Sequence, residues 1–440
     1  MKLGKKDILI TGLALLAMFL GAGNLIFPPK LGLQAGGSFW PAIFGFIITG
    51  VGLPLLGVTA VAKAGGDLEL LANRVNPLFS KIITTIVILS IGPMLAIPRT
   101  AATTFEVGVA PFLGTTDPAT VKMALAVTTL IFFLITLLFV LKPTKILDSV
   151  GSILTPFLIL FLGIIIFKGI SSPLGVASKA TLVSPFTKGF LEGYNTMDAL
   201  ASVIFGLAIA NSIKGKGIED KKEVAKVTIS AGIIAAIGLS AIYLGISYIG
   251  STTGTLFTGD NPGQLLSFVV DSLLGSTGKL VLALTMALAC LTTSIGLVAS
   301  CGSFFNRLTK GKVSYNTICI ITVLISAILA NMGLSKILEV SAPLLVTVYP
   351  IIIVLVVISL FDGLFKGNRA VYIISITGTV ILSLTNLIYS IGTNMGLNLN
   401  FIKNALSVLP LYDKGLEWII PAFLLALVAN FVKPSNSSHY

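Results

Sequence analysis

The chain has 440 residues, of which 55% are hydrophobic and only 10% charged, with a formal net charge of +12. A soluble domain carries roughly a quarter charged residues, so these proportions exclude one and indicate an all-α integral membrane protein. The basic excess is not a nucleic-acid surface, because the lysines and arginines fall in short segments between apolar runs, as the positive-inside bias requires.

A helix needs about 20 apolar residues to cross the hydrocarbon. Runs of that kind predict twelve spans, at 7–34, 38–62, 79–112, 121–141, 149–170, 190–213, 224–250, 278–305, 313–332, 336–361, 369–391 and 415–432. The run 260–274, DNPGQLLSFVVDSLL, is too short and acidic to span and reads as an interfacial or extracellular helix. The opening run reads as a span rather than a cleaved signal peptide, since it continues too far and ends in Pro28-Pro29 instead of a small-residue cleavage site. With the amino terminus inside, nineteen lysines and arginines fall on the cytoplasmic side and nine outside, with Arg99 left within a span. That asymmetry predicts both termini in the cytoplasm.

Span 1 carries GAGNLIFPP, with Gly21 and Gly23 at mid-depth. Broken backbone hydrogen bonds inside a bilayer must find new partners, so a break there calls for a function. Unwinding would present the amides of the second half-helix, at the positive end of its dipole, to a carboxylate. It would also free carbonyls of the first half-helix for a cation. A packing kink of small residues is the alternative. Span 6 offers a weaker signal, DALASVIFGLAIANS, with Gly206 at mid-span. Spans 1 and 6 are five apart, and a five-span unit repeated once re-enters the membrane inverted.

Other chemistries are poorly served. No phosphate-binding loop of the Gly-x-x-x-x-Gly-Lys type is present, and the only histidine, His439, is the penultimate residue. Cys290, Cys301 and Cys319 lie in spans 8 and 9 and form neither a disulfide framework nor a metal spacing. The Asn436 sequon falls on the predicted cytoplasmic tail. These features argue against an enzyme or an ATP-driven pump and leave a gradient-driven carrier or a channel. No filter-like ring of residues favours the channel.

GAGNLIFPP resembles the unwound first helix of carriers with the leucine-transporter fold, an inverted repeat of five plus five helices. Together with GPMLAIPRTAATTFE (92–106), DALASVIFG (198–206) and LTTSIGLVASCGSFF (291–305), it resembles the bacterial branched-chain amino acid carrier family, the Leu/Ile/Val:cation symporters. The resemblance implies repeats at 1–180 and 181–365, broken helices 1 and 6, and two extra spans in 366–440. It further implies import of Leu, Ile and Val across the cytoplasmic membrane, with Na⁺ or H⁺ as the coupling ion.

Carried onto this chain, the fold's sodium site would comprise the Thr293 and Ser294 side chains and the carbonyls of Ala17, Leu20 and Cys290. The same two hydroxyls could instead satisfy carbonyls one turn earlier. The substrate carboxylate would meet the amides of Gly21, Ala22, Gly23 and Asn24. Its ammonium would meet carbonyls near Ser202 to Gly206, with Phe205 in the aliphatic pocket. Charged residues within spans are functional candidates, and Arg99, Glu106, Asp198 and Glu339 are expected in the outer half as an external gate. Snorkelling to the interface is the alternative for Glu106 and Glu339.

Na⁺ is expected as the coupling ion. Span 5 has no Lys, Asp or Glu between Asp148 and Lys168, and span 8 has none between Lys279 and Arg307. Coupling by H⁺ through Glu106 or Asp198 stays open if bent helices bring either inward. A major-facilitator carrier is the architectural alternative, given the basic stretch KGKGIEDKKEVAK (214–226) between spans 6 and 7. The loop after span 2 lacks that family's Gly-x-x-x-Asp-Arg pattern.

Overall fold

The computed structural model describes residues 4–65, 68–114, 117–141, 146–180 and 182–432, and among them every regular element is helical. The Asn436 sequon and His439 lie outside the described residues. In chain order the α-helices are α1 (Lys5–Phe19), α2 (Ala22–Ala35), α3 (Phe39–Ile47), α4 (Leu53–Ala64), α5 (Leu68–Ala72) and α6 (Pro77–Leu89). They continue with α7 (Ala96–Gly108), α8 (Pro118–Leu141), α9 (Ile146–Ser171), α10 (Pro185–Glu192), α11 (Asp198–Gly215) and α12 (Lys221–Thr253). The last six are α13 (Pro262–Leu308), α14 (Tyr315–Ala330), α15 (Leu334–Leu360), α16 (Arg369–Asn394), α17 (Asn400–Ser407) and α18 (Ile419–Asn430). Each predicted run is occupied by one of these or by two in series.

Eight helical stretches among the described residues are long and apolar enough to cross a membrane, and three shorter apolar helices accompany them. The outward faces are greasy, as lipid demands. On α8, Leu130, Leu134 and Leu138 are exposed while Phe132, Phe133 and Thr136 face the protein.

Starts are set by local chemistry. Asn76, Asp220, Asn261, Ser314 and Asn368 each accept a backbone N–H of the first turn that follows, satisfying donors that have no partner inside the helix. Pro77 and Pro262 stand at the first helical position, where a missing N–H costs nothing. The predicted interfacial helix forms the start of α13 and joins span 8 directly, through Gly275 at φ 66° and ψ −165°. Span 3 is interrupted at Ser90–Met94, where Gly92 leaves helical geometry (φ −94°, ψ −124°) just before Pro93.

Spans 1 and 6 sit at the centre. Both halves of span 1, α1 and α2, pack on α12, while α10 packs on α3 and α11 on α4. Two of these contacts are backbone seams of small residues. A side chain at Gly32 would collide with the Ser247 carbonyl, and one at Gly250 with the Pro29 carbonyl. On the other seam, Gly45 lies against the Phe186 carbonyl and Gly189 against the Ala42 carbonyl.

Candidate functional site

Span 1 is broken where its glycines stand. Leu20 (φ −70°, ψ 68°) and Gly21 (φ −94°, ψ −170°) separate α1 from α2. The Gly21 N–H turns to the Phe19 carbonyl at 2.6 Å, away from the Ala17 carbonyl that an unbroken helix would bond. Ala22, Gly23 and Asn24 form the first turn of α2, whose N–H groups have no partner within that helix. Gly21 to Asn24, with Met18 and Phe19, line a cavity of about 40 Å³. That is room for no more than a few waters, so an amino acid enters only as the walls part.

Span 6 is also interrupted, but not at Gly206. The chain turns at Gly193–Thr196, passes through Met197 in the left-handed region (φ 64°, ψ 10°) and runs as unbroken α11 from Asp198. Ser202, Phe205 and Gly206 therefore lie within a continuous helix. Phe205 lines the cavity and packs edge-on against Phe19 at 5.3 Å. Ser202 faces α4, its hydroxyl donating to the Ala199 carbonyl at 2.7 Å and filling the space over Gly57. Gly206 also faces α4, where an added Cβ would lie 3.3 Å from Val61. Neither of these two lines the cavity. The interruption is anchored by Tyr194, stacked on Tyr349 of α15 at 4.1 Å between ring centres.

Span 8 runs past the break in span 1. Thr293 lines the cavity, and its Oγ1 would be 3.4 Å from a Cβ placed on Gly21. Ser294 is fully buried, and its hydroxyl finds no hydrogen-bond partner among the described residues. Cys290 is buried one turn earlier on α13. Hydroxyl and carbonyl oxygens of this kind suit a hard cation, and the orphaned Ser294 Oγ is the atom such an ion would satisfy.

The four in-span charges are not gathered in one place. Glu339 is exposed and pairs with Lys336 at 2.8 Å. Glu106 accepts from Gln264 at 3.3 Å, in a separate cleft of about 290 Å³ shared with Asp271 and Lys279. Arg99 and Asp198 both line the central cavity and are 5% and 3% exposed. Arg99 donates to the Asn195 carbonyl at 2.6 Å and to the Thr196 carbonyl at 3.4 Å, and lies over the Phe27 ring. Its Nε has no partner among the described residues. Asp198 Oδ2 accepts from Asn24 Nδ2 at 2.5 Å and from the Tyr243 hydroxyl at 3.0 Å. Asn24 also donates to Tyr243.

Tyr243 of α12 was not among the sequence candidates, although a tyrosine in mid-span, away from the interfaces where tyrosine collects, is a usable signal. Thr196 and Met197 were missed because the left-handed position of their turn is held by a methionine rather than a glycine.

A helical bundle closing on a buried cavity, with two interrupted helices at its walls, defines a membrane carrier. Two solved structures have this fold. An inward-facing conformation of Mhp1 is 13% identical, with a TM-score of 0.61 over 96% of this chain and 90% of that one. Mhp1, a nucleobase-cation-symport-1 family transporter, in a closed conformation with bromovinylhydantoin bound, gives the same score over 95% and 91%. The chain belongs to the family of branched-chain amino acid transport proteins, whose model matches residues 4–436. The branched-chain amino acid permease BraB of Bacillus subtilis is 44% identical over 439 residues, 98% of this chain and 97% of the relative. BrnQ of the same organism is 41% identical over 96% and 95%. The branched-chain amino acid transport system 2 carrier protein of Pseudomonas aeruginosa is 39% identical over 96% of each chain.

Proposed function

We propose that the protein is a secondary active symporter that imports Leu, Ile and Val across the cytoplasmic membrane, coupled to Na⁺ by alternating access. The observation that carries this reading is the break at Leu20–Gly21, which opens a helix start and a helix end onto one cavity in a chain of this family. The amides of Gly21 to Asn24 meet the substrate carboxylate at the positive end of α2. Met18, Phe19, Ile91, Ala96, Phe205 and Leu297 supply the apolar lining for a branched side chain. Na⁺ takes the hydroxyls of Thr293 and Ser294 and the carbonyls of Ala17, Leu20 and Cys290.

Twelve crossings follow from this reading, with both termini cytoplasmic and inverted repeats at 1–180 and 181–365. The pairing of span 1 with span 7 and of span 6 with span 2 supports the repeat, because exchanging the two units maps one pair onto the other. In this arrangement residues 366–440 add the last two spans.

A proton-coupled reading has one observation in its favour: Asp198 is a buried carboxylate at the cavity wall. Purified protein in liposomes decides between them. Uptake of labelled leucine, isoleucine and valine, but not lysine, driven by an inward Na⁺ gradient at equal pH supports Na⁺ symport. Uptake driven by pH in Na⁺-free buffer, unaffected by Thr293→Ala with Ser294→Ala, refutes the sodium assignment. Equal uptake of lysine refutes the apolar pocket.

A further inference from the structure

We propose that Arg99 and Asp198 grip the two charges of the amino acid zwitterion across the central cavity. This rests on the substrate class given above and adds a side-chain ligand for each charge. Both groups are buried and both line the same small cavity. The ion pairs among the described residues are Arg74–Asp362, Lys188–Glu192, Lys279–Asp271 and Lys336–Glu339, so these two are not closed on one another. Opposite charges held apart in an apolar interior are costly. The two act on one another's charge without touching, and a zwitterion laid between them would give each a counter-charge in direct contact.

The positions are specific. The Arg99 fork stands against the start of α2, where a Cβ on Gly23 would come within 2.7 Å of Nη2. Guanidinium and helix-start amides thus converge on one point, and both attract a carboxylate. Gly23 leaves that approach open. Across the cavity, Asn24 and Tyr243 donate to the same oxygen of Asp198. They position a carboxylate that faces the cavity and suits an ammonium. The backbone carbonyls of the span 6 interruption are less available for that role, because Arg99 already bonds those of Asn195 and Thr196. Asn24 and Tyr243 are positioning residues in this scheme.

The test is competition binding to the purified protein with three probes: L-leucine, 4-methylpentanoate, which lacks the ammonium, and 3-methylbutylamine, which lacks the carboxylate. Removing one partner of a desolvated charge pair costs about 100-fold in affinity. Asp198→Asn is therefore expected to weaken leucine about 100-fold while leaving 4-methylpentanoate nearly unchanged. Arg99→Gln, which also removes the bonds to the span 6 turn, should weaken leucine far more than 3-methylbutylamine, and Arg99→Lys should recover part of the loss. A variant that weakens leucine and its matching analogue equally has only lost structure, and overturns the assignment. An Asp198→Asn protein that binds and exchanges leucine normally but no longer concentrates it also overturns the ligand role and assigns the carboxylate to a coupled proton. If the wild type binds alanine or phenylalanine but no branched-chain amino acid, the substrate reading fails and the clamp survives. If it binds no α-amino acid, the clamp fails as well.

Discussion

The two interrupted helices at the cavity are built by different means. Span 1 breaks at its own glycine, with the Gly21 N–H turning to a carbonyl two residues back. Span 6 breaks at Asn195–Met197 with a methionine rather than a glycine in the left-handed position, and Met197 at φ 64° costs an L-residue about 1–2 kcal/mol. That cost is met from outside the helix. A hydrogen bond from a charged donor contributes about 1.5–3 kcal/mol, and Arg99 of α7 makes one to the Asn195 carbonyl. One break belongs to its own sequence and the other to its neighbours.

The largest effect is expected where the two breaks touch. Gly23→Leu drives a side chain into the Arg99 guanidinium, disturbing span 1 directly and span 6 through its brace. Leucine uptake should be abolished with insertion and expression nearly intact, and Gly21→Leu should do the same by crowding Thr293. Normal transport by either variant would reduce the first break to a packing kink.

Thr293→Ala with Ser294→Ala addresses span 1 alone. Loss of the hydroxyls should raise the Na⁺ concentration for half-maximal uptake about tenfold or more, at roughly 1.4 kcal/mol per decade. Uptake should recover at saturating Na⁺, and a titration of initial rates reads it. An unchanged Na⁺ dependence would remove the cation from the first break.

A much smaller change is expected from Gly206→Ala. Alanine gains about 1 kcal/mol of helix propensity over glycine, set against a contact of 3.3 Å to Val61. Uptake and thermal stability should both stay near wild type. Loss of uptake at normal stability would mean that span 6 opens at Gly206 in another state of the cycle. Least of all should follow from Glu339→Gln, since its pair with Lys336 is solvent-exposed and such pairs contribute below about 1 kcal/mol. A transport defect there would restore a gate at the outer end of span 10.

The same contrast explains what was legible in the sequence. Helices and the Gly21 break could be read because hydropathy and glycine are local signals. Pro93 is likewise a local signal, and the bend of span 3 falls at the adjacent Gly92. Gly206 drew attention for the same reason, yet it serves a close crossing with α4. The true turn of span 6 is held by Arg99 from a helix some hundred positions away, and no local pattern carries that. Asp198 was expected in the outer half of span 6 because it lies in the first half of the run 190–213. The three-dimensional path instead adds α10 outside it and buries the carboxylate against Asn24 and Tyr243.

The glycine seams carry a mechanical consequence. Where Gly32 and Gly250 bring α2 and α12 backbone to backbone, no rotamer is available to absorb sliding. The same holds where Gly45 and Gly189 join α3 to α10. Each pair behaves as one lever. The two broken joints flank these rigid pairs, Leu20–Gly21 just before α2 and Asn195–Met197 just after α10. Gly21, Thr196 and Met197 of these joints line the cavity, so a bend at either joint would reshape the site.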